Sequence, residues 1–356
     1  MTPLRTVTRL RGLSPFVGRA RRHEPSQSPI VLIYDQRIAE LSREAKQWIK
    51  RFPCSVPVRS GEELKTWEGF RAFMDSLPEE VLQYSRKSME VWAMGGGSVG
   101  DFAGFFASVW KRGVTLRMVP TTWLSAIDSA HGGKTGLNWG GAKNQIGTFY
   151  PAQEVILVRE LLELQGEARM RDGMGELAKI ALIDGGRWTQ ELRGFAGLPL
   201  KKQKELMWRL LPDAARSKWK WVKKDPRELN GAREVLNLGH TLGHVLEVEV
   251  PLSHGEAVAQ GLLFALDLSL SEGLMSEKAF ARAQEFLRLD CGIVRNPQAR
   301  VSRSSLSKRV KADKKRNADG QLSFVFLERM GRPVRKPILM EKWIRQVVRG
   351  GWTQDE

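Results

Sequence analysis

The stretch from Leu236 to Glu256 reads LNLGHTLGHVLEVEVPLSHGE and holds three of the chain's five histidines. His240 and His244 lie four residues apart in a segment whose Leu236, Leu242, Val245 and Leu246 suit a helix, so both imidazoles project from one face. His254 follows a short loop containing Pro251 and precedes the helix-like run AVAQGLLFALDLSL. Zinc-type catalytic sites take three protein ligands from imidazoles and carboxylates and leave one position open for substrate. The zincin pattern does not apply, because no glutamate stands between His240 and His244. A carboxylate comes instead from GMGELAKIALI, where Glu176 and Lys179 are one helical turn apart; Glu176 with His240 and His254 completes a three-ligand, open metal site. A helix carrying two ordinary satisfied histidines is the competing reading, and Asn237, Gly239, Gly243 and Glu247 weigh against it. Two glycines in a short helix cost about 1 kcal/mol each relative to alanine, a loss easier to understand where something packs close to the backbone.

A second group of residues points to anion binding. Val91 to Met94 reads as a strand, Gly95-Gly96-Gly97-Ser98-Val99-Gly100-Asp101 follows at once, and FAGFFASVWKRG reads as a helix. Adjacent glycines between strand and helix let backbone N–H groups approach a pyrophosphate at the positive end of the helix. The spacing departs from G-x-G-x-x-G, and a tight turn without a ligand is the alternative. A further strand, Leu116 to Pro120, leads to Thr121-Thr122 and then to DSAHGGKTG from Asp128 to Gly136. The glycine pair before Lys134 resembles part of a phosphate-gripping loop without the full P-loop spacing. Lys143-Asn144 follows another Gly-rich turn, so Lys134, Lys143 and Asn144 either line one anion pocket or are plain surface loop residues.

The elements that must carry these groups fall into two domains, as 356 residues allow. IVLIY, ending at Asp35, and the helical run IAELSREAKQWIKRF open a βα alternation that predicts a parallel sheet covered by helices. Ser60 to Lys65 opens another helical segment. From about Gly166 long helical runs take over, with one late strand at Leu322 to Leu327, and Lys218, Glu228 and Arg233 lead into Asn237. The expected division is an α/β domain over 30–165 and a helical domain over 166–356. Residues 1–29 carry six arginines against Glu24 alone and show no sustained apolar period, so they read as a basic arm, disordered or loosely docked.

Net charge is +17 and the isoelectric point about 10.1. The charge gathers in the arm, in Lys201 to Lys224 and in Arg303 to Lys336, where aromatics interleave only at Trp208, Trp219 and Trp221 and no recognition-module signature appears. A solvated basic surface or an anionic substrate is favoured over nucleic acid. Mean hydropathy is −0.34 and no run of 18 apolar residues occurs, so no membrane span is expected. Cys54 and Cys291 make neither a metal spacing nor a disulfide framework, which points to a reducing compartment, the cytoplasm.

Taken together, GGGSVGD, VPTTWLSAIDSAHGGKTGLN, GAKNQIGTFY, GMGELAKIAL, LNLGHTLGHVLE and HGEAVAQG resemble, in order and spacing, the 3-dehydroquinate synthases of the sugar phosphate cyclase superfamily. The resemblance runs from about residue 30 to about residue 330. It implies a Rossmann-like α/β N-terminal domain for NAD, an all-α C-terminal domain for the metal, and a cleft between them. Glu176, His240 and His254 would hold zinc or cobalt. Glu62, Lys65, Gly96, Gly97, Asp101, Thr121, Thr122 and Lys143 would serve NAD. Asp128, Lys134, Asn144, Lys179, Lys218, Arg233, Asn237 and His244 match the substrate pocket, joined by Lys314 or its neighbour Lys315 from the tail. Arg112 resembles a phosphate-binding arginine donated across a homodimer interface.

The implied reaction takes 3-deoxy-D-arabino-heptulosonate 7-phosphate to 3-dehydroquinate and phosphate, in the shikimate pathway. It proceeds by transient oxidation, phosphate elimination, re-reduction and aldol closure, with His244, Lys134, Asn237 and Glu176 as catalytic groups. A sister cyclase acting on another sugar phosphate, or an inactive relative that binds a partner, is the alternative. Four departures stand out: residues 1–29 do not read as the family's opening β-hairpin, Arg37 stands where an amide is usual, His131 replaces a small apolar residue, and Gly175 replaces the commoner alanine.

Overall fold

The computed structural model describes residues 2–13, 29–306 and 320–354. The chain divides into two compact units, Met1–Met170 and Arg171–Glu356.

In the first unit the strands are β1 (Leu4–Val7), β2 (Ile30–Asp35), β3 (Cys54–Val58), β4 (Glu90–Gly95), β5 (Thr115–Pro120), β6 (Lys134–Trp139), β7 (Ala142–Phe149) and β8 (Glu154–Val158). Six of them form a parallel sheet in the order β1-β8-β5-β4-β2-β3. The near-continuous apolar runs of β2, β4 and β8 are what a parallel sheet covered on both faces requires, and these strands are buried almost throughout. β3 carries Pro57, which has no N–H to give and is tolerated because this strand is an edge. Strand β2 pairs with β3 on one side and β4 on the other, so the strand order reverses between β2 and β4. Ligands of open α/β sheets bind outside the carboxyl ends of strands at such a reversal. Asp35 and the glycine turn after β4 stand there.

Two expectations need correction. The helix read across IAELSREAKQWIKRF is two helices, Gln36–Leu41 and Arg43–Ile49. Ser42 separates them in an extended conformation, its hydroxyl accepting from the Ala45 N–H as a cap. The basic arm also fails over residues 4–13. β1 pairs with β8 from Leu4↔Val155 to Val7↔Val158, and Leu10 and Leu13 are buried against Trp48, Ile156 and Leu161. The Trp48 indole N–H donates to the Leu13 carbonyl at 2.9 Å, and Arg5 pairs with Glu154 at 2.9 Å. Apolar residues at positions 4, 7, 10 and 13 dock the segment, although arginines dominate its composition. Residues 14–28 lie outside the described part.

β6 and β7 form an antiparallel hairpin of their own. Gly140 and Gly141 both have positive φ, 58° and 75°, the two-residue turn in which glycine is the least strained choice. The glycine pair that resembles part of a phosphate-gripping loop leads into this hairpin, and the later Gly-rich turn is its reversal.

The second unit is helical, with Glu167–Asp184, Leu200–Lys224, His240–Glu249 and His254–Ser271 as its main functional helices. It also carries an antiparallel hairpin of Gln321–Arg329 and Arg332–Leu339, which contains the late strand expected from sequence. His254–Ser271 is buried nearly all round, and a capping box of Ser253 and Glu256 fixes its first turn. No helix of the described residues is long and apolar enough to cross a membrane.

Candidate active site

In the second unit three helices meet through glycines. A Cβ on Gly175 would stand 2.0 Å from the Gly255 carbonyl oxygen, and one on Gly261 would stand 1.8 Å from the Gly239 oxygen. The close packer expected around Gly239 and Gly243 is therefore the helix His254–Ser271, whose Leu262 and Ala257 backbones lie about 3 Å from where their Cβ atoms would be. With no side chains between the backbones, the residues next to these glycines are forced together. Those residues are Glu176, His240 and His254.

The Glu176 side chain is fully buried, and its Oε1 lies 3.4 Å from His240 Nε2 and 3.3 Å from His254 Nε2. Ligand bonds of about 2.1 Å in tetrahedral geometry place donor atoms roughly 3.4 Å apart, so these separations fit one ion. The other ring nitrogens face groups that set the tautomer. His240 Nδ1 is 3.3 Å from the Leu238 carbonyl oxygen, which can only accept, and His254 Nδ1 is 3.0 Å from Glu247 Oε2. Each Nδ1 is thus placed to carry a hydrogen, which in the neutral ring leaves Nε2 as the ligand atom. The Glu176 oxygens face Lys179 Nζ at 2.5 Å as well as the two imidazoles, so the buried carboxylate is surrounded by cationic or metal-binding groups. Burial opposes charge on His254, but the carboxylates of Glu176 and Glu247 outweigh it and raise its pKa to about 10.

His244 is exposed beside this trio, its ring centre 5.1 Å from that of His240 and 6.3 Å from that of His254. It neighbours both ligand imidazoles. Lys218 is buried in Leu200–Lys224, which packs against the turn Ala232–Asn237. On that turn Arg233 is buried, with Nε 3.3 Å from Glu228 and an Nη donating to the Pro226 carbonyl, while Asn237 is exposed. Lys314 and Lys315 lie outside the described residues.

In the first unit the glycine turn leads straight into the helix Gly97–Val109, which no side chain caps. Cβ atoms added to Gly96 and Gly97 would lie 3.3 Å from Thr122 and Ser129, so the turn nestles against the start of the next βα connection. Thr121 donates its N–H to the Gly95 carbonyl, and Thr122 caps Trp123–Ile127. Buried Lys65 is the knot of this region: its Nζ lies 2.7 Å from Asp101 Oδ2 and 2.6 Å from Asn144 Oδ1. Burial raises the Asp101 carboxyl, as do the charges of Glu62 and Asp128, against the opposing effect of Lys65. Asn144 sits in β7 at φ 57°, a left-handed position that asparagine tolerates. Glu62 accepts from Asn138 at 2.7 Å and lines, with Lys143, a cavity of about 680 Å³ flanked by Trp67 and Trp139. Lys134 is exposed at the start of β6.

Arg112 is not part of this group. It lies beyond the far end of the 13-residue helix Gly97–Val109, about 20 Å along the axis from the turn. His131 is buried, its Nε2 2.8 Å from the Ala126 carbonyl oxygen, closing the short helix before it. Glu247 and Arg37, singled out in the sequence without a contact, prove to face His254 and Asp35; Asp172, which accepts the Gly255 N–H at 2.6 Å, was missed and leaves no local signal.

Residues 55–172 match the family profile described as 3-dehydroquinate synthase N-terminal, and residues 173–316 match 3-dehydroquinate synthase C-terminal. The 3-dehydroquinate synthase of Methylacidiphilum infernorum is 32% identical over 331 residues, covering 91% of this chain and 88% of the relative. The chain belongs to the 3-dehydroquinate synthase family. The 3-dehydroquinate synthase of Pseudomonas aeruginosa strain LESB58 is 33% identical over 86% of this chain and 83% of its own. Among solved structures, 2-deoxy-scyllo-inosose synthase complexed with carbaglucose-6-phosphate, NAD+ and Co2+ has a TM-score of 0.80 at 23% identity, covering 98% of this chain and 96% of that one. The 2-epi-5-epi-valiolone synthase of Streptomyces hygroscopicus, with NAD+ and Zn2+ bound, gives 0.77 at 21% identity over the same shares. These likenesses place the fold with the sugar phosphate cyclases. Within the family frame, Gly175 is a position where even one methyl group meets the Gly255 backbone.

Proposed function

We propose that this chain is a 3-dehydroquinate synthase, converting 3-deoxy-D-arabino-heptulosonate 7-phosphate to 3-dehydroquinate and phosphate with NAD and a divalent ion, zinc or cobalt. The observation that carries the reading is the buried Glu176 facing His240 and His254 at tetrahedral spacing, with a third imidazole beside them. When bound, the ion supplies Lewis acidity and the dinucleotide a reversible hydride acceptor.

This chain's own residues do the rest. Lys179, held on Glu176, and Lys134, Lys143, Lys218 and Arg233 complement a substrate bearing a carboxylate and a phosphate. Asp128, Asn144 and Asn237 offer acceptors and donors to its hydroxyls. His244, exposed and close to the ligand imidazoles without being one, moves the hydroxyl proton, a task that an imidazole suits. Lys134 stabilises developing oxyanions. Lys314 is assigned to the substrate by its motif alone. The glycine turn, Asp101, Thr121, Thr122, Glu62 and Lys65 form the dinucleotide site.

We infer also that the protein is a homodimer in which Arg112 serves the second copy, since it stands exposed a helix length from its own glycine turn. Two free, buried cysteines accord with the cytoplasm. Purified protein with NAD+ and zinc or cobalt should release phosphate from the heptulosonate phosphate and form dehydroquinate. Turnover of sedoheptulose 7-phosphate or glucose 6-phosphate alone would assign it to a sister cyclase.

A further inference from the structure

At the strand-order reversal the carboxyl end of β2 faces the glycine turn of β4, and what stands there is an ion pair. Arg37 Nε lies 3.2 Å from Asp35 Oδ1 and an Arg37 Nη 2.8 Å from Asp35 Oδ2, so the guanidinium occupies both carboxylate oxygens. The same Nη reaches the Ser60 hydroxyl. The next residue, Gly61, donates its N–H to Ser98 Oγ at 3.1 Å, in the first turn of the helix that follows the glycines. Asp35, Arg37, Ser60 and Ser98 therefore border one rim of the dinucleotide turn. Asp35 is buried, whereas the Arg37 side chain is 56% exposed.

An acidic residue at the end of a strand next to the glycine turn selects NAD in two ways: it accepts from the ribose 2′-hydroxyl, and its charge repels a 2′-phosphate. Here both carboxylate oxygens are already engaged and the charge is matched. The other Arg37 Nη makes neither of these bonds to Asp35 and belongs to a side chain that is 56% exposed, and a guanidinium N–H suits a phosphate oxygen.

We propose that Arg37 is a specificity-determining residue that opens the dinucleotide site to NADP+ as well as NAD+, by masking Asp35 and offering its outer edge to the 2′-phosphate. This rests on the dinucleotide reading of the glycine turn. The wild-type affinities for the two dinucleotides should lie within about threefold of each other, with the 2′-phosphate neither strongly favoured nor excluded.

Binding of NAD+ and of NADP+ to the full-length protein by titration calorimetry tests this, in wild type, Arg37→Gln, Arg37→Asn and the double variant Asp35→Asn/Arg37→Gln. Either single variant should keep or raise NAD+ affinity and weaken NADP+ about tenfold or more, because Asp35 is unmasked. The double variant should recover part of that loss, a result that a merely structural role for Arg37 would not produce. Wild-type exclusion of NADP+ by tenfold or more would overturn the inference while leaving the NAD reading intact. So would single variants that keep the wild-type ratio, or that weaken both dinucleotides equally, since Arg37 would then serve the pyrophosphate they share. Failure of both dinucleotides to bind wild type would remove the dinucleotide site itself.

Discussion

Glu247 Oε2 lies 3.0 Å from His254 Nδ1, on the side of the ring opposite Glu176, so the imidazole is gripped between two carboxylates. A carboxylate behind a metal-binding histidine fixes its tautomer and raises its basicity. Replacing Glu247 by Gln should weaken zinc binding about 10- to 100-fold. Metal titration against a competing chelator measures this, and activity should return at saturating zinc.

His254 and His244 should part company on substitution. His254→Ala should lose the metal along with activity. His244→Ala should keep a full metal content and lower kcat about 10²- to 10⁴-fold, the usual worth of a positioned proton carrier. Elemental analysis beside kinetics separates the two, and metal loss in the His244 variant would count against its assignment.

The His254 pKa of about 10 has a direct consequence for metal uptake. Between about pH 7 and 9 the metal-free protein holds a proton there that zinc must displace, so apparent affinity rises with pH and close to one proton leaves His254 per ion. For the metal-free protein alone the sign is opposite. The folded pKa is raised above the ordinary 6.5, so this group's stabilisation is fully present below about pH 6.5 and disappears as pH climbs through about 10. Calorimetry in buffers of different ionisation enthalpy reads the first effect, and melting temperature against pH reads the second.

Gly175→Ala places a methyl group 2.0 Å from the Gly255 oxygen, and the backbones must separate to admit it. A loss of about 1–3 kcal/mol is expected, together with weaker metal binding because Glu176 and His254 flank the contact. Thermal denaturation with and without zinc tests both parts.

Neither thiol should react quickly in the native protein. Burial and the Glu80 carboxylate push Cys54 up to about 11, and burial with Asp290 raises Cys291. A thiol reagent near neutral pH should label both only after denaturation.

The metal trio was legible because ligand residue types are few and their order along the chain is distinctive. The fold was legible where apolar runs are long, as in β2 and β4. The docking of β1 was hidden by composition: Leu4, Val7, Leu10 and Leu13 carry the packing while arginines set the average. The β6–β7 hairpin was hidden because Gly-rich turns look alike whether they hold a phosphate or reverse a strand. Contacts such as Lys65 with Asn144, 79 positions apart, and Asp172 with Gly255, 83 apart, leave no trace in local spacing. Tertiary geometry alone makes them.

The glycine seams Gly175–Gly255 and Gly239–Gly261 carry a lesson about tolerance to change. Rotamer rearrangement cannot widen or narrow a seam in which main chain rests on main chain. The aperture offered to the ion is consequently a fixed dimension, set by helix against helix. Drift in this lineage can exchange one donor atom for another, but resizing the aperture demands simultaneous change on both sides of a seam.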